Sequence, residues 1–426
     1  MASSYLWRNI GSNGNRKTMT FSAWVKRSGL DTASIFTTGS GAERDMLLFE
    51  SSGIIQFSRY NGSYLYKLQT NAKYRDTNGW YHIVAVLDTP QATEANRMKL
   101  YVNGEQVTSF SAASYPSQDY QSNYNQSGYT QYVGQDSDGN FDFDGCMSHV
   151  HYVDGLALTP ATFGSTDSTT GEWKINTSPT VSDYGTNGFF VLKDNNSGTD
   201  QSGEGNNLTT QGTITETKDN PSNVFCTMNP LDKSSSMNLS NGNTRTASPS
   251  NNWMPCKATI GMLGQNGKFY WEGKCESGTY HYFGVYDASG TVRGSEQSEM
   301  DANRFVYVYN GGMERTITGQ SAIASGTYAT FANTDIIGVA LDKENGTITF
   351  YKNGTEIYTE THSSLQTKNL IPGTQAYGSD IQWNFGNGYF GTTQISSEGT
   401  NASGIGKFEY DVPTGYTALS TKGLNE

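Results

Sequence analysis

The sequence predicts an all-β protein, and three observations support that prediction. The segment KLYVNGEQV (99–107) returns in altered form as TFYKNGTEI (349–357), and each copy places Asn-Gly between short runs of strand-forming residues. Asn and Gly accept the positive φ angles of a type I′ turn, so each copy is expected to form a tight β-hairpin. The composition is typical of strands and loops, with 27 Tyr and 48 Gly in 426 residues. No stretch keeps an apolar helical period for longer than about two turns.

Each hairpin belongs to a larger unit that occurs twice. WYHIVAVLD (80–88) precedes the first copy and DIIGVALD (335–342) precedes the second, so an apolar strand ending in Leu-Asp leads into each hairpin. Repetition of a supersecondary unit predicts two sheet domains of similar construction. A length of 426 residues agrees, because domains of roughly 100–200 residues are the norm.

Charge and apolar patterning exclude several classes of protein. The chain has 28 basic and 40 acidic residues, a net charge of −12, and no cluster of Lys and Arg; phosphate binding needs a basic surface, so nucleic acid is not an expected partner. The first 17 residues lack the basic-then-apolar order of a signal peptide, and the longest apolar run, YHIVAVL, is too short to span a bilayer. We expect a soluble protein made in a cytoplasm, without membrane insertion. The four cysteines lack metal-ligand spacing, which favours small buried hydrophobes or isolated thiols over a disulfide or a zinc site.

Composition divides the chain into three parts. Strand-like segments fill residues 1–163 and 223–426, which we predict to be the two domains. Residues 164–222 are polar and are predicted to form a loop-rich connector. Within it, GFFVLK (188–193) must be a buried strand that belongs to one of the neighbouring domains.

Both predicted domains resemble known families. TFSAWVK, GWYHIVAVLD, KLYVNGEQV and FDGCMSHVHYVDGLALTP resemble successive strands of a laminin G-like, concanavalin A-type jelly roll. GKFYWEGKCES, YHYFGVYD, DIIGVALDKENGTITFYKNG and DIQWNFGNGYF are similar to the core strands of a SPRY domain. The resemblance implies two tandem antiparallel jelly-roll sandwiches, one concanavalin A-like and one SPRY-like.

The order of the segments resembles a particular group of viral proteins. The two domains in this order, the joint formed by LALTPATFG and TTGEWK, and the ending KFEYDVPTGYTALSTKGL are similar to a family of tailed-bacteriophage proteins found largely in marine viruses. The resemblance implies a virion protein, exposed as a tail fibre, spike or capsid appendage.

One departure from the laminin G-like pattern concerns the first domain. Such domains usually carry an apolar strand before the segment that corresponds to SSYLWRN, and this sequence starts too late to hold it. Either this strand is dispensable, or it leaves a sheet edge that is open to another chain or filled by GFFVLK, and we favour the last of these.

Catalysis is not expected, although jelly rolls of this type include glycosidases. Retaining glycosidases of the fold carry Glu-x-Asp-x-x-Glu on one strand. The nearest matches, ERDMLL (43–48) and EYDVPT (409–414), both lack the final acid, and the five histidines form no Ser/His/Asp pattern. We therefore assign no catalytic residue.

An acidic loop, QDSDGNFDFDG (135–145), is the candidate metal site. It offers the alternating oxygen ligands of a calcium loop, which Ca²⁺ prefers, although it does not fit an EF-hand. Laminin G-like domains often bind calcium in rim loops. The alternative is a solvated acidic turn. The candidate ligands are Asp136, Asp138, Asn140 and Asp142.

Tyrosines interleaved with Gln, Asn and Ser in residues 111–134 are the main candidates for recognition. Sugars present apolar C–H faces beside hydroxyls, which aromatic rings and amides match together. The alternative is a long crossover whose tyrosines pack onto the sheet. The candidate glycan-binding residues of this segment are Tyr115, Tyr120, Tyr124, Tyr129 and Tyr132.

In the second domain Trp253, flanked by polar residues and Pro, is a further candidate contact. It could equally cover the end of the sandwich, and the resemblance to SPRY domains leaves a peptide partner open. The whole sequence thus predicts a non-enzymatic virion protein that binds host surface glycans, other virion proteins and further copies of itself. A purely architectural connector and a polysaccharide depolymerase remain as alternatives.

Overall fold

A computed structural model describes residues 4–193, 197–249, 253–264, 266–289, 292, 304–316 and 328–425. The chain divides into two compact units, Met1–Glu216 and Thr217–Glu426. Each unit contains a pair of large β-sheets packed face to face, which confirms the predicted all-β fold with two sandwich domains. The helices of the described residues are one five-residue α-helix, α1 (Ser363–Thr367), and short 3-10 turns, none long and apolar enough to cross a membrane.

The first unit is built from sixteen described strands. They are β1 (Tyr5–Asn9), β2 (Thr18–Arg27), β3 (Ala33–Ser40), β4 (Glu43–Phe49), β5 (Ile55–Tyr60), β6 (Tyr64–Thr70), β7 (Tyr81–Asp88), β8 (Met98–Val102), β9 (Glu105–Gln106), β10 (Phe110–Ser114), β11 (Thr130–Val133), β12 (Gly145–Asp154), β13 (Gly164–Thr166), β14 (Trp173–Ile175), β15 (Phe189–Val191) and β16 (Thr209–Gln211).

Two antiparallel sheets enclose the core of this unit. An eight-stranded sheet has the order β10-β6-β5-β4-β3-β11-β1-β16, and a six-stranded sheet has the order β15-β12-β2-β7-β8-β9. The core between them combines Phe21 of β2 with Phe36 of β3 and Phe57 of β5, each fully buried. Burial of such rings contributes roughly 1.5–3 kcal/mol each.

The predicted connector over residues 164–222 is not a separate segment. Strand β15 pairs with β12, placing Val191 opposite Val150, and β16 pairs with β1. Phe163 and Tyr184 pack with Val84 of β7 in a second apolar cluster. These pairings carry residues up to Glu216 into the first unit. The GFFVLK segment therefore fills an edge of the six-stranded sheet of the first sandwich.

The second unit contains sixteen further described strands. They are β17 (Met228–Lys233), β18 (Asn238–Ser240), β19 (Arg245–Ala247), β20 (Trp253–Ala258), β21 (Lys268–Ser277), β22 (Tyr280–Asp287), β23 (Arg304–Val308), β24 (Met313–Thr316), β25 (Ile336–Asp342), β26 (Thr347–Lys352), β27 (Thr355–Thr361), β28 (Leu370–Tyr377), β29 (Asp380–Asn384), β30 (Tyr389–Phe390), β31 (Thr393–Gln394) and β32 (Thr417–Ala418).

Two sheets again face each other. One has the order β17-β20-β28-β22-β23-β24, and the other runs β18-β19-β29-β21-β25-β26-β27, with β32 added in parallel to β21. The core between them includes Phe283 of the first sheet and Trp271 and Trp383 of the second, all fully buried. Both tryptophans are core residues.

The two Asn-Gly hairpins have the same geometry. Asn103 and Gly104 have φ angles of 49° and 85°, and Asn353 and Gly354 have 49° and 77°, as a type I′ turn requires. The side-chain oxygen of Asn103 accepts the backbone N–H of His82 at 2.8 Å, while the N–H of Asn103 donates to the His82 carbonyl at 2.8 Å. Asn353 makes the same pair of 2.8 Å bonds to Ile336. The repeated sequence thus forms the same hydrogen-bonded turn in both units.

Candidate functional site

Tyr124 is a core residue and not a glycan contact. Its side chain is 0% exposed, and its ring lies 5.8 Å from that of Phe36 and 6.2 Å from that of Phe57. The prediction for Tyr124 is wrong because the crossover between β10 and β11 carries this side chain into the core of the first unit, against Phe36 of β3 and Phe57 of β5. Tyr115 also packs partly against this core.

Tyr120 and Tyr129 serve to hold the crossover in place. The ring of Tyr120 meets that of Tyr66 edge-on at 5.7 Å. The hydroxyl of Tyr129 donates to Oε2 of Glu43 at 3.0 Å. Both rings remain partly exposed, but their described contacts are with the sandwich below them. We therefore assign them a packing role.

A buried ion cluster underlies these tyrosines. Arg59 donates from Nη1 to Oδ2 of Asp45 at 2.8 Å and also pairs with Glu43. Asp45 accepts in addition the hydroxyl of Tyr66 and, at 2.8 Å, the backbone N–H of Asn123 in the crossover. Burial raises the pKa of Asp45, and the positive charge of Arg59 opposes that rise. Within the ERD segment that resembles part of a glycosidase motif, Asp45 is thus enclosed, at 0% exposure, whereas Glu43 and Arg44 are partly exposed.

Tyr132 lies in a different environment, on the outward surface of the eight-stranded sheet. Its neighbour Val133 and Leu6 of β1 point into the core, at 2% and 1% exposure. Alternation along the strands therefore turns Tyr132, Trp7 and Tyr5 outward. Trp7 lies directly opposite Tyr132 in the ladder, and the rings of Tyr5 and Tyr132 are 6.1 Å apart. We call Tyr5, Trp7 and Tyr132 the aromatic face.

Polar side chains border the aromatic face. Thr209 of β16 is paired with Trp7 and Gln211 with Tyr5, and both are exposed. Within the part of the chain that the structure describes, the indole N–H of Trp7 and the hydroxyls of Tyr5 and Tyr132 make no hydrogen bond. Three partly exposed rings with free donors therefore stand beside hydroxyl and amide groups.

Tyr5 and Trp7 are not among the candidate residues predicted from the sequence, although the pattern of their strand indicates them. YLWRN (5–9) alternates about Leu6, and an inward Leu6 places Tyr5 and Trp7 together on the other side of the strand.

The acidic loop binds an arginine. Oδ1 of Asp136 accepts the backbone N–H groups of Asn140 at 2.8 Å and Asp138 at 3.1 Å. Arg44 forms an ion pair with Asp138, and its Nε lies 3.7 Å from Oδ2 of Asp136. The guanidinium therefore supplies positive charge where the sequence predicts Ca²⁺.

The remaining predicted calcium ligands do not complete a site. Asp142 accepts a hydrogen bond from the side chain of Gln135 at 2.7 Å, and Asn140 is exposed. Across the described residues there is no group of three or more His, Cys, Asp or Glu that could hold a metal. The geometry gives the calcium prediction no support.

Trp253 opens strand β20 of the second unit and is not in a loop. Its ring is partly exposed and lies 4.8 Å from Tyr282 and 5.6 Å from Tyr377. It is therefore neither an isolated contact nor a lid, but one member of an aromatic group on the outer surface of the six-stranded sheet.

Two families match the chain. Residues 4–163 match the concanavalin A-like lectin/glucanases superfamily, and residues 268–388 match the SPRY domain. No curated protein matches.

Solved structures similar to this chain include three with a SPRY or toxin description. The SPRY domain of human HERC1 is 18% identical, with 37% of this chain and 96% of that chain covered and a TM-score of 0.30. The TRIM65 PSpry domain is 15% identical, with 37% and 88% covered and a TM-score of 0.30. Stonustoxin is 18% identical, with 37% and 27% covered and a TM-score of 0.29. The two family matches lie on the two sandwiches, and the chain therefore combines an N-terminal concanavalin A-like domain of the laminin G type with a C-terminal SPRY domain.

Proposed function

We propose that this protein is a non-enzymatic glycan-binding component of a tailed-phage particle, and that the aromatic face binds the glycan. The observation that supports the proposal is the grouping of Trp7, Tyr132 and Tyr5 on one outward sheet surface, with Thr209 and Gln211 beside them.

The chemistry of this surface suits a saccharide. A pyranose ring offers C–H groups to an aromatic ring and hydroxyls to neighbouring donors and acceptors, so rigid amphipathic rings give contact area at low entropic cost. The Trp7 indole N–H and the Tyr5 and Tyr132 hydroxyls have no partner among the described residues, and a sugar hydroxyl would satisfy them. The three rings themselves are uncharged, which favours a neutral glycan.

Two features support a protein without catalysis. Asp45, in the segment closest to a glycosidase motif, is fully enclosed by Arg59, Tyr66 and Asn123. His82, beside Ser22, is held by Trp173 in a form that cannot take the proton of the serine.

The assignment to a phage particle rests on the resemblance of the ordered sequence segments to tailed-phage virion proteins. A surface position would present many copies at once, and multivalency raises the avidity of weak sites by 10²–10⁴. Weak binding at a single aromatic face would then be sufficient for attachment.

Glycan-array binding and calorimetry with purified host surface polysaccharide test the proposal on the full chain. Trp7→Ala and Tyr132→Ala are expected to weaken binding at the aromatic face at least about tenfold, the equivalent of about 1.4 kcal/mol. Tyr64→Ala is the matched control, since Tyr64 is an aromatic residue of the same sheet, 46% exposed and outside the aromatic face.

Other results would replace the proposal. Glycan binding whose number of sites and affinity are both unchanged by the two substitutions would remove the aromatic face from it. Absence of any glycan signal, together with tight binding to a purified virion protein, would favour an architectural connector. Release of reducing sugar from the polysaccharide would overturn the non-enzymatic assignment, and immunogold labelling of intact particles tests the position in the virion.

A further inference from the structure

We propose that the second unit carries a glycan site of its own, formed by Trp253, Tyr280, Tyr309 and Tyr377. This inference rests on the proposed function and adds a second site for the same class of ligand, a neutral oligosaccharide. We call these four residues the aromatic patch.

The aromatic patch is built by strand register. Trp253 of β20 and Tyr280 of β22 are both paired with Tyr377 of β28, so three rings form a row across three neighbouring strands. Tyr309 follows β23 and meets Tyr280 at 4.7 Å. Met254 and Ala376, the chain neighbours of Trp253 and Tyr377, lie in the core of the sandwich. The row therefore faces outward.

The rings support one another at defined angles. Tyr280 stands edge-on to Tyr377 at 5.3 Å and 80°, and to Trp253 at 6.1 Å and 70°. Edge-to-face pairs are a favourable arrangement of aromatic rings, worth about 0.5–1.5 kcal/mol each beyond burial. The surface is thus preorganised, and Tyr280 at its centre remains 39% exposed.

The polar atoms of the aromatic patch are available to a ligand. Among the described residues, the hydroxyls of Tyr280, Tyr309 and Tyr377 and the indole N–H of Trp253 have no hydrogen-bond partner. Four free donors on four rings match a molecule that presents both C–H faces and hydroxyls.

Charge selects the class of ligand. The four rings are neutral, and the neighbouring Arg304, which lies 5.0 Å over the ring of Tyr282, is ion-paired with Glu314. The chain as a whole carries a net charge of −12. An anionic polymer would be repelled by that charge, whereas a neutral oligosaccharide would not.

Calorimetry on the full chain with cello-, laminari-, manno- and chitohexaose as probes tests the inference. For a hexaose that binds, we expect two sites in the unmodified chain. Trp7→Ala is expected to leave one site, Tyr280→Ala is expected to leave one site, and the double variant none. Trp253→Phe, which keeps a ring, is expected to retain the second site. Thermal unfolding of each variant checks that it folds.

The outcomes separate the two proposals. One site that is lost in Trp7→Ala and unchanged in Tyr280→Ala would overturn the second site and leave the proposed function intact. One site that is lost in Tyr280→Ala and unchanged in Trp7→Ala would overturn the aromatic face instead. If decaproline bound and Tyr280→Ala abolished that binding without affecting any hexaose, the aromatic patch would be a peptide site and the inference wrong.

Discussion

The indole N–H of Trp173 donates a hydrogen bond to Nδ1 of His82 at a distance of 3.0 Å. Because an indole can only donate, Nδ1 must be the acceptor and the proton of the neutral ring lies on Nε2. Nε2 is 2.9 Å from the hydroxyl of Ser22. His82 therefore donates to Ser22 and cannot accept its proton, which is the opposite of a nucleophile activated by a base.

The buried state of His82 predicts a pH dependence. Burial lowers the pKa of His82 to about 3, whereas an unfolded histidine titrates near 6.5. Between these values the unfolded chain binds a proton that the folded chain does not, so His82 makes the first unit less stable as the pH falls from about 6.5 to about 3. The loss is about 1.4 kcal/mol per pH unit.

Denaturant unfolding at several pH values measures this effect in the unmodified chain and in His82→Gln. Gln cannot titrate, so the variant is expected to lose less stability on acidification than the unmodified chain does. The difference between the two is the test, because other groups titrate in the same range. Parallel pH profiles would show that His82 already titrates normally in the folded state.

Arg59 is predicted to be the residue that fastens the tyrosine crossover to the sandwich. Arg59→Met leaves Asp45 buried without its cation, and removal of one partner of a buried ion pair costs about 3–5 kcal/mol. We expect a lower unfolding midpoint for the first unit and faster proteolysis within residues 115–129. Arg75→Met is the control, since Arg75 is exposed and, among the residues that the structure describes, donates only to the Ser52 carbonyl. Equal behaviour of the two variants would contradict the anchoring role.

Sequence reasoning succeeded where the signal was local. The Asn-Gly hairpins and the alternating strands carry their own geometry, and they located both sandwiches. The separation of Tyr124 from Tyr132 could not be predicted, because the crossover has no period and its burial depends on contacts with Phe36 and Asp45, which lie in distant strands. The calcium prediction for the acidic loop finds no support for the same reason, since the partner of the loop, Arg44, belongs to a strand far away in the sequence.

Gly354 is predicted to be indispensable in the second Asn-Gly turn. A Cβ at this position would lie 2.6 Å from the ring of Tyr410, and the φ angle is +77°. Gly354→Ala should therefore combine a steric clash with backbone strain, and left-handed strain alone costs about 1–2 kcal/mol. Gly404→Ala isolates the strain, because Gly404 has a φ of +68° and nothing within 4 Å of the added Cβ. A larger loss of unfolding free energy in Gly354→Ala than in Gly404→Ala is expected.

The first unit offers the same comparison. A Cβ at Gly104 would lie 2.5 Å from Trp173, whereas Gly128, with a φ of +86°, has open space. Gly104→Ala should lower the transition of the first unit more than Gly128→Ala does. Equal losses of unfolding free energy within either pair would mean that the aromatic ring above the turn moves aside without an energetic cost.

Glu272 is predicted to make the second unit more stable at mildly acidic pH. Its carboxylate lies under the C-terminal segment, where it accepts the backbone N–H of Glu409 at 3.0 Å and that of Tyr410 at 2.9 Å. Asn384 donates to it as well, at 3.1 Å. Burial nevertheless raises its pKa from 4.5 to about 7, because desolvation of the charge outweighs these donors.

The sign of the effect follows from proton binding. Between pH 4.5 and about 7 the folded chain binds a proton that the unfolded chain releases. The contribution of Glu272 is therefore fully present below pH 4.5 and lost as the pH rises through about 7, a change of about 3 kcal/mol. His281 in the same unit has a pKa lowered to about 4 by burial and acts in the opposite direction, so the total dependence of stability on pH can be flat.

Glu272→Gln removes only the contribution of Glu272. Unfolding of the second unit should show the unmodified chain gaining stability relative to Glu272→Gln as the pH falls from 7.5 to 4.5, and a pH-independent difference would show that the carboxylate stays ionised.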